Sequence, residues 1–253
     1  MAHRFFIEGA VPAEGALPLA PSDVHHLRDV LRLTVGDVVV LAGSDGSWQV
    51  RLADIGDVVT GKREAAVPAP VVPPVTLVQG IAKGERMDMV MRQATEIGVA
   101  RIVPLRAERS IVRLDAAKSA SRTERWRRIA AEAAKQCQRA DVPVVTEPVS
   151  VAALAPALSA SAIIVCWEEA PDADGIAATL DALAVDAARD VAVVIGPEGG
   201  LTAAEVETLV ASGARVASLG PTVLRTETAG VLAAALAIHE RGGLGNRQSI
   251  RNG

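Results

Sequence analysis

The pattern of apolar and polar residues changes near residue 70, and this change predicts two structural regions. Residues 1 to about 65 carry short apolar or alternating runs, which are typical of strands, separated by glycine-containing turns such as Gly43–Gly46. One helix interrupts them, with Ser22 or Asp23 as its N-cap and His25–Leu33 as its body. The predicted strands are Arg4–Ile7, Asp37–Leu41, Trp48–Leu52 and Asp57–Thr60. The first region is therefore predicted to be small and rich in β-structure.

A proline-rich segment follows this region. Ala65–Pro74 contains four prolines in ten residues. Because proline fixes φ and lacks an N–H donor, such a segment fits neither a helix nor a central strand. We interpret it as a semi-rigid linker and place the domain boundary there. The predicted division is a first domain at 1–70, a second at 75–242 and a flexible tail at 243–253.

From Val75 onwards, predicted strands alternate with predicted helices. The runs Ala162–Cys166 and Val191–Ile195 are continuously apolar, as in strands buried on both faces of a parallel sheet. In Ser121–Arg139, apolar residues recur at helical spacing. The other predicted strands are Val75–Gln79, Arg101–Leu105 and Val216–Leu219, and the other predicted helices are Glu85–Ile97, Gly175–Leu183, Ala203–Ser212 and Thr228–Arg241. This alternation predicts an α/β domain with a parallel sheet.

Composition limits the class of protein. Hydrophobic residues make up 50% of the chain and charged residues 22%, which is enough apolar material for a sizeable core. Met1–Gly15 lacks the pattern of a signal peptide, and Ala229–Ile238 is far shorter than the ~20 residues of a membrane span, so we expect a soluble, cytoplasmic protein. Cys137 and Cys166 form no CxxC pair and the histidines lack metal-ligand spacing, so we expect no metal.

A basic segment lies within this acidic protein. The net charge is −4, but residues 83–141 contain 14 Lys/Arg against 8 Asp/Glu, so the rest of the chain carries −10. Such a segment is typical of a surface that binds a polyanion, for example a nucleic acid. A set of solvated helix faces is the alternative.

A glycine-rich segment with candidate chemistry follows the apolar run that ends at Ile195. Gly196–Thr202 has the sequence Gly-Pro-Glu-Gly-Gly-Leu-Thr and precedes a predicted helix. Its glycines allow the backbone to approach a ligand closely. Thr202 and Glu205 have the spacing of a capping box. An ordinary strand-to-helix turn is the alternative interpretation.

A second segment, Leu219–Gly230, also follows a predicted strand and begins a predicted helix. It places the positive charge of Arg225 beside Thr226 and Glu227, at a helix start where free N–H groups attract an acceptor. The alternative makes Thr226 a helix cap and Arg225 a surface residue. Because ligands of open α/β sheets bind at the carboxyl ends of strands, the two segments together predict one binding site.

These two segments and five others resemble the bacterial small-subunit ribosomal RNA methyltransferase E family. The pairing of Gly-Pro-Glu-Gly-Gly with Leu-Arg-Thr-Glu-Thr-Ala is specific, and the resemblance covers nearly the whole chain in order. The other matching segments are His25–Arg32, Lys83–Met87, Ala94–Val99, Glu108–Ser110 and Ala134–Arg139. Enzymes of this family belong to the SPOUT class and use S-adenosylmethionine to make N3-methyluridine in 16S rRNA. The resemblance implies a PUA-like β-barrel at 1–70, a SPOUT parallel sheet with a C-terminal trefoil knot, and a homodimer.

The resemblance also suggests roles for individual residues. We expect Arg225 to stabilise a developing uracil anion, and Glu198 or Glu227 to act as base or to orient the substrate. Gly200 is expected to leave room for the ligand. The expected cofactor contacts are Trp167, Ile195, Gly196, Gly199, Gly200, Leu219, Leu224, Thr226, Thr228 and Ala229. The expected RNA contacts are Arg4, Arg28, Arg32, Lys83, Arg86, Arg109, Gln136 and Arg139.

Three other functions stay open at this point. The chain could be a SPOUT enzyme that methylates a ribose 2′-OH or a tRNA base. It could be a non-catalytic rRNA-binding assembly factor that retains the pocket. An unrelated nucleotide-binding α/β protein is disfavoured, because no GxGxxG phosphate fingerprint occurs. The sequence does not specify the target nucleotide, or whether free rRNA or an assembled subunit is the substrate.

Overall fold

The computed structural model describes residues 3–69, 72–112, 115–158, 161–186 and 188–245. Within these ranges the chain forms two compact units. The first takes in residues 3–69 and Ala134–Asp141, and the second takes in 72–133 and 142–245. Most of the predicted tail, residues 246–253, lies outside the described residues.

The first unit is built on a five-stranded sheet, counted over its described residues. Its strands are β1 (Arg4–Phe6), β2 (Glu14–Ala16), β3 (Val38–Gly43), β4 (Gly46–Ile55) and β5 (Val59–Val67). Their order is β1-β3-β4-β5-β2, with β1 and β3 parallel and the other pairs antiparallel. Phe5, Leu41 and Val50 are buried in one apolar cluster. The predicted β-rich character of this region is confirmed.

Two details predicted for this region were wrong. The helix begins earlier, as α1 (Pro21–His25) followed by a π-helical turn (His26–Val30), and its N-cap is Ala20 rather than Ser22 or Asp23. Pro21 suits the first helical position because its φ is already helical and its missing N–H is not needed there. The predicted linker was too long, because residues 65–67 belong to β5 and pair with β4.

The second unit is an α/β fold with a parallel sheet, as predicted. Its strands are β6 (Val75–Gly80), β7 (Arg101–Arg106), β8 (Val144–Val145), β9 (Val149–Ser150), β10 (Ala162–Cys166), β11 (Val191–Ile195) and β12 (Arg215–Ala217). Their order is β12-β10-β11-β6-β7-β8, with β9 also on β7 and every pair parallel. Every residue of β10 and β11 is buried, because apolar clusters cover both faces of the sheet.

Helices connect these strands. They are α2 (Arg86–Ile97), α3 (Ala116–Gln136), α4 (Val151–Ala157), α5 (Ile176–Ala182), α6 (Ala203–Ala211) and α7 (Thr226–Glu240). Among the described residues, no helix is both long enough and apolar enough to cross a membrane. The sequence did not predict helix α4 or the short strands β8 and β9, and the last strand is observed at Arg215–Ala217 rather than at the predicted 216–219.

The last helix is fixed at its far end by an arginine. Just after α7, the Arg241 guanidinium donates hydrogen bonds to the carbonyl oxygen of Pro74 at 2.7 Å and to those of Asp186 and Arg189. Pro74 immediately precedes β6, so this end of α7 is held at the edge where the central strands begin.

Candidate functional site

A cavity of about 460 Å³ opens at the carboxyl edge of the parallel sheet. This volume lies within the range of small-molecule sites in proteins. The loops after β10, β11 and β12 form most of its wall, and the first turns of α2 and α7 complete it. The lining residues are Arg86, Cys166, Trp167, Glu168, Pro171, Ile195, Gly196, Pro197, Glu198, Ser218, Leu219, Gly220, Pro221, Thr222, Val223, Leu224, Arg225, Thr226, Glu227 and Ala229.

The two segments singled out in the sequence therefore meet in one wall. Arg225, Glu198 and Glu227, the predicted catalytic residues, all line the cavity. So do seven of the predicted cofactor contacts, namely Trp167, Ile195, Gly196, Leu219, Leu224, Thr226 and Ala229. Gly199, Gly200 and Thr228 lie outside this lining.

Other lining residues were not anticipated from the sequence. Arg86, predicted to contact RNA, lies in the wall, together with Cys166, Pro171, Pro197 and Ser218. Pro197 lies inside the Gly196–Thr202 segment and Ser218 directly precedes the Leu219–Gly230 segment, so their positions in the sequence were a usable signal. Pro171 had no such signal, because nothing in the neighbouring sequence marks it as close to the cavity.

Two glycines behind the wall have a structural rather than a ligand-facing environment. Gly200 has a φ of +71°, and a Cβ there would overlap the Glu168 carboxylate. A Cβ on Gly199 would lie 2.9 Å from the Cβ and the carbonyl oxygen of Arg109. In this structure a side chain at position 200 would therefore meet the Glu168 carboxylate, which itself lines the cavity.

Arg86 joins the two cavity carboxylates. Its Nη1 lies 2.7 Å from Oε1 of Glu198, and its Nε lies 3.6 Å from Oε1 of Glu227. The backbone N–H of Lys83 also donates to Glu198, at 2.9 Å. Oε2 of each carboxylate is buried without a hydrogen-bond partner among the described residues. Unsatisfied buried acceptors cost free energy, and where a native protein keeps them they often mark a functional site.

The environment of Glu198 keeps its carboxyl ionised. Partial desolvation alone would raise its pKa, but the N–H groups of Lys83 and Glu198 and the guanidinium of Arg86 outweigh that effect. The net result is a lowered pKa, because hydrogen bonds and positive charge favour the carboxylate. Glu198 is therefore a weak proton acceptor.

This lowered pKa predicts an acid-dependent loss of stability that Glu198→Gln removes. The ionised carboxylate stabilises the folded state above the ordinary pKa of 4.5, and this contribution is lost as the pH falls through the lowered folded-state pKa. We expect urea-unfolding midpoints of the wild type to fall more steeply than those of the variant between roughly pH 5 and pH 3. Exposed Glu207 provides the control variant Glu207→Gln. Parallel pH profiles for wild type and Glu198→Gln would contradict the assignment.

Arg225 presents an uncompensated positive charge at the cavity. It is exposed, and within the described chain its side chain has no hydrogen-bond or ion-pair partner. Arg225 is the N-cap of α7, so Thr226 does not cap this helix as one interpretation of the sequence held. The predicted capping box of Thr202 and Glu205 at α6 is confirmed.

Cys166 lines the cavity with a neutral thiol. Burial raises the pKa of the Cys166 thiol to about 12, so this side chain stays protonated at neutral pH. No group of three or more His, Cys, Asp or Glu residues in the described ranges is placed to hold a metal ion.

The predicted RNA contacts of the first unit differ in how free their side chains are. Arg4 is half-buried and donates to Ser47 Oγ at 2.7 Å, and Arg28 pairs with its neighbour Asp29. The side chain of Arg139 is 12% exposed and pairs with Asp141 at 3.0 Å, so its charge is largely neutralised. Arg32 and Gln136 are exposed.

In the second unit, two predicted RNA contacts lie on the surface. Lys83 is exposed. The Arg109 guanidinium lies 3.3 Å from the Glu169 carboxylate and 3.3 Å from the carbonyl oxygen of Gly199. Arg109 therefore connects the loop after β7 to the loops that follow β10 and β11.

Comparison with known proteins agrees with this geometry. The family model described as an RNA methyltransferase domain matches residues 69–238, which include the whole cavity. The parallel sheet, the cavity at its carboxyl edge and this match define an RNA methyltransferase domain.

Individual relatives narrow the family further. The ribosomal RNA small subunit methyltransferase E of Bacillus subtilis is 31% identical over 241 residues, which cover 89% of this chain and 92% of that protein. This chain belongs to the ribosomal RNA small subunit methyltransferase E family, and the resemblance identified in the sequence is confirmed.

Two solved structures show the same fold with a cofactor. The ribosomal RNA small subunit methyltransferase E of Neisseria gonorrhoeae, bound to S-adenosyl methionine, has a TM-score of 0.79 and 26% identity, with 93% of this chain and 96% of that chain covered. A Legionella pneumophila protein described as a methyltransferase, in complex with the bound cofactor SAM, has a TM-score of 0.77 and 29% identity, with 94% and 97% covered.

Proposed function

We propose that this chain transfers a methyl group from S-adenosylmethionine to N3 of a uridine in 16S rRNA. Its family membership makes it an S-adenosylmethionine-dependent rRNA methyltransferase, as the sequence predicted. The position of the methyl group is the new part of the proposal. The observation that supports it most directly is one cavity wall that holds a free arginine and two carboxylates.

The residues of the cavity fit this cofactor. Ile195, Leu219 and Leu224 offer apolar surface for an adenine ring, and the glycine-containing loops offer backbone donors and acceptors. The carboxylates of Glu198 and Glu227 give the wall negative charge, which suits a sulfonium cation. When bound, S-adenosylmethionine supplies an electrophilic methyl group. In this proposal Gly199, Gly200 and Thr228 support the wall from behind.

Two groups of the wall suit methylation of a uracil nitrogen. N3 of uracil carries a proton at neutral pH. A base must therefore take this proton, and a positive charge must favour the uracil anion that results. The exposed, unpaired Arg225 provides that charge. The lowered pKa of Glu198 favours an orienting role for this residue, since it is a weak proton acceptor. We therefore assign the role of base to Glu227.

The RNA must present an unpaired base to this cavity. N3 lies on the Watson–Crick edge, so the target uridine must be single-stranded or flipped out of a helix. Specificity then comes from RNA shape and from phosphate contacts. Arg28, Arg32, Lys83 and Arg109 remain as phosphate contacts in the proposal, because all four are exposed. Arg28 and Arg109 also pair with exposed carboxylates, whereas Arg86 faces the cavity carboxylates and the side chain of Arg139 is only 12% exposed.

The proposal extends to features that the family resemblance implies. The β-rich first unit would serve as a PUA-like RNA-binding domain. The cavity loops would belong to a trefoil knot, and two chains would associate as a homodimer in the cytoplasm.

Methyl transfer to defined RNA tests the proposal. Purified protein and labelled S-adenosylmethionine are incubated with deproteinised 16S rRNA, with 30S subunits and with tRNA, and the digested nucleosides are identified by mass spectrometry. We expect 3-methyluridine from rRNA or 30S subunits. A 2′-O-methyl nucleoside, or methylation of tRNA alone, would contradict the proposed position. Tight rRNA binding without saturable cofactor binding in calorimetry would instead support an assembly factor.

A further inference from the structure

We infer that Gln79 is a positioning residue, which holds two loops of the cavity together through Thr226. Gln79 is the fifth residue of β6 and its residue surface is 0% exposed. It is not part of the cavity lining, yet both residues that it connects are. The inference rests on the proposed function, because the loops that it aligns are those that would bind the cofactor.

Two consecutive hydrogen bonds carry this connection. The Gln79 Nε2 group donates to Thr226 Oγ1 at 2.8 Å, and Thr226 Oγ1 donates to the carbonyl oxygen of Gly196 at 2.5 Å. Gly196 begins the loop after β11, and Thr226 begins α7. A single buried amide on β6 is therefore connected to both segments that were identified in the sequence.

The chemistry of the three groups requires an amide at position 79. The carbonyl of Gly196 can only accept a hydrogen bond, so the single hydroxyl proton of Thr226 must point to it. The same hydroxyl must then accept its second hydrogen bond from Gln79, which directs the amide nitrogen towards Thr226. A carboxylate at position 79 has no proton to donate, so glutamate would not replace glutamine here.

The other end of the amide is equally constrained. Gln79 Oε1 is buried and has no hydrogen-bond partner among the described residues. A Cβ on Gly230 of α7 would overlap this oxygen, so a side chain at position 230 would require the Gln79 amide to move. A buried acceptor without a partner is unfavourable. The amide therefore costs stability at its oxygen end, while its nitrogen holds the two loops together.

The backbone next to Gln79 packs directly on the same loop. A Cβ on Gly80 would overlap the backbone nitrogen of Pro197 and would lie 2.7 Å from its Cδ. Ile195 is the register partner of Gln79 on β11. The end of β6 is therefore in direct contact with the Gly196–Pro197 backbone, so a shift of the strand end at Gln79 would be transmitted to this loop.

Shape-matched substitutions test this role. Gln79→Met and Thr226→Val remove the hydrogen bonds without adding charge, while Thr226→Ser keeps the hydroxyl. Thr76→Val is the matched control: Thr76 lies on the same strand, is 1% exposed, and donates to Asp190 at 2.9 Å, away from the cavity. Cofactor dissociation constants are measured by calorimetry, steady-state kinetics on rRNA give KM and kcat, and thermal unfolding reports on folding.

We expect Gln79→Met and Thr226→Val each to raise the dissociation constant and the KM for S-adenosylmethionine roughly tenfold. The kcat at saturating cofactor should change far less. The double variant should bind the cofactor about as well as the single variant with the lower affinity, because both substitutions break the same chain of hydrogen bonds. Thr226→Ser should retain most of the wild-type affinity. Thr76→Val should lower the unfolding temperature without weakening cofactor binding.

Several outcomes would overturn the inference. The first is a loss of cofactor affinity in Gln79→Met or Thr226→Val that is no larger than that in Thr76→Val. The second is additive losses of affinity in the double variant. The third is a loss of affinity in Thr226→Ser equal to that in Thr226→Val. If Gln79→Met does not fold, the comparison of Thr226→Val with Thr226→Ser decides the question. A wild-type protein that binds no S-adenosylmethionine would refute the proposed function instead, so the two failures are distinguishable.

Discussion

Arg225→Ala is expected to lower kcat by roughly 10²–10³-fold, the usual effect of removing one preorganised group that stabilises a developing anion. The dissociation constant for S-adenosylmethionine should change by less than about threefold, because in the proposal Arg225 acts on the anion that develops on the uracil and makes no contact with the cofactor. The exposed and unpaired state of the Arg225 guanidinium leaves it available for the substrate. Single-turnover methylation of rRNA and calorimetric titration of the cofactor measure the two effects separately.

A second arginine provides the control for this experiment. Arg215 is the exposed first residue of β12 and does not line the cavity, so Arg215→Ala removes the same charge elsewhere in the unit. It should leave the single-turnover rate unchanged. Equal losses of rate and cofactor affinity in Arg225→Ala would make Arg225 a cofactor-binding residue, contrary to the proposal.

Glu227→Gln is expected to lower the methylation rate by roughly 10²–10⁴-fold, the usual contribution of a positioned general base. The amide has nearly the shape of the carboxylate but cannot accept the N3 proton from the substrate. Glu227 is 9% exposed, so the substitution changes little of the surface available to RNA. Single-turnover rates at saturating rRNA and cofactor provide the measurement.

Glu198→Gln is the matched comparison, because both carboxylates contact Arg86. Removal of an orienting residue should lower the rate far less than removal of the base, so Glu198→Gln should retain most of the single-turnover rate. If Glu198→Gln is the slower variant, the two assignments are exchanged. If Glu227→Gln weakens cofactor binding by as large a factor as it slows the reaction, Glu227 is not the base.

Two strands of the second unit, β10 and β11, could be predicted to the residue. The observed bounds of β10 and β11 coincide with the apolar runs Ala162–Cys166 and Val191–Ile195, because both faces of these strands are buried and the polar residues Ser161 and Asp190 precede the runs. By contrast, β8 and β9 contain two residues each, which is too short for any periodicity. The three residues of β2, Glu14–Ala16, show only one partly buried position.

The candidate site was predictable where a segment carries its own signal. The loop at Gly196 and the start of α7 were found because glycines or charged residues directly follow apolar strands. Gln79 was not found, because its partner Thr226 is 147 residues away and a single glutamine at a strand end is unremarkable in sequence. Arg86 was assigned to RNA for the same reason: Glu198, its partner, is 112 residues distant.

The two ends of α7 link the cavity to the opposite edge of the sheet. The helix starts at Thr226 in the cavity wall and is followed by Arg241, which bonds the carbonyls of Pro74, Asp186 and Arg189 roughly 20 Å further along the helix axis. A ligand that favours the intact first turn also disfavours local unfolding of the whole helix. Amide hydrogen exchange near the far end of α7 should therefore slow when the cavity is filled, although no ligand atom comes near it.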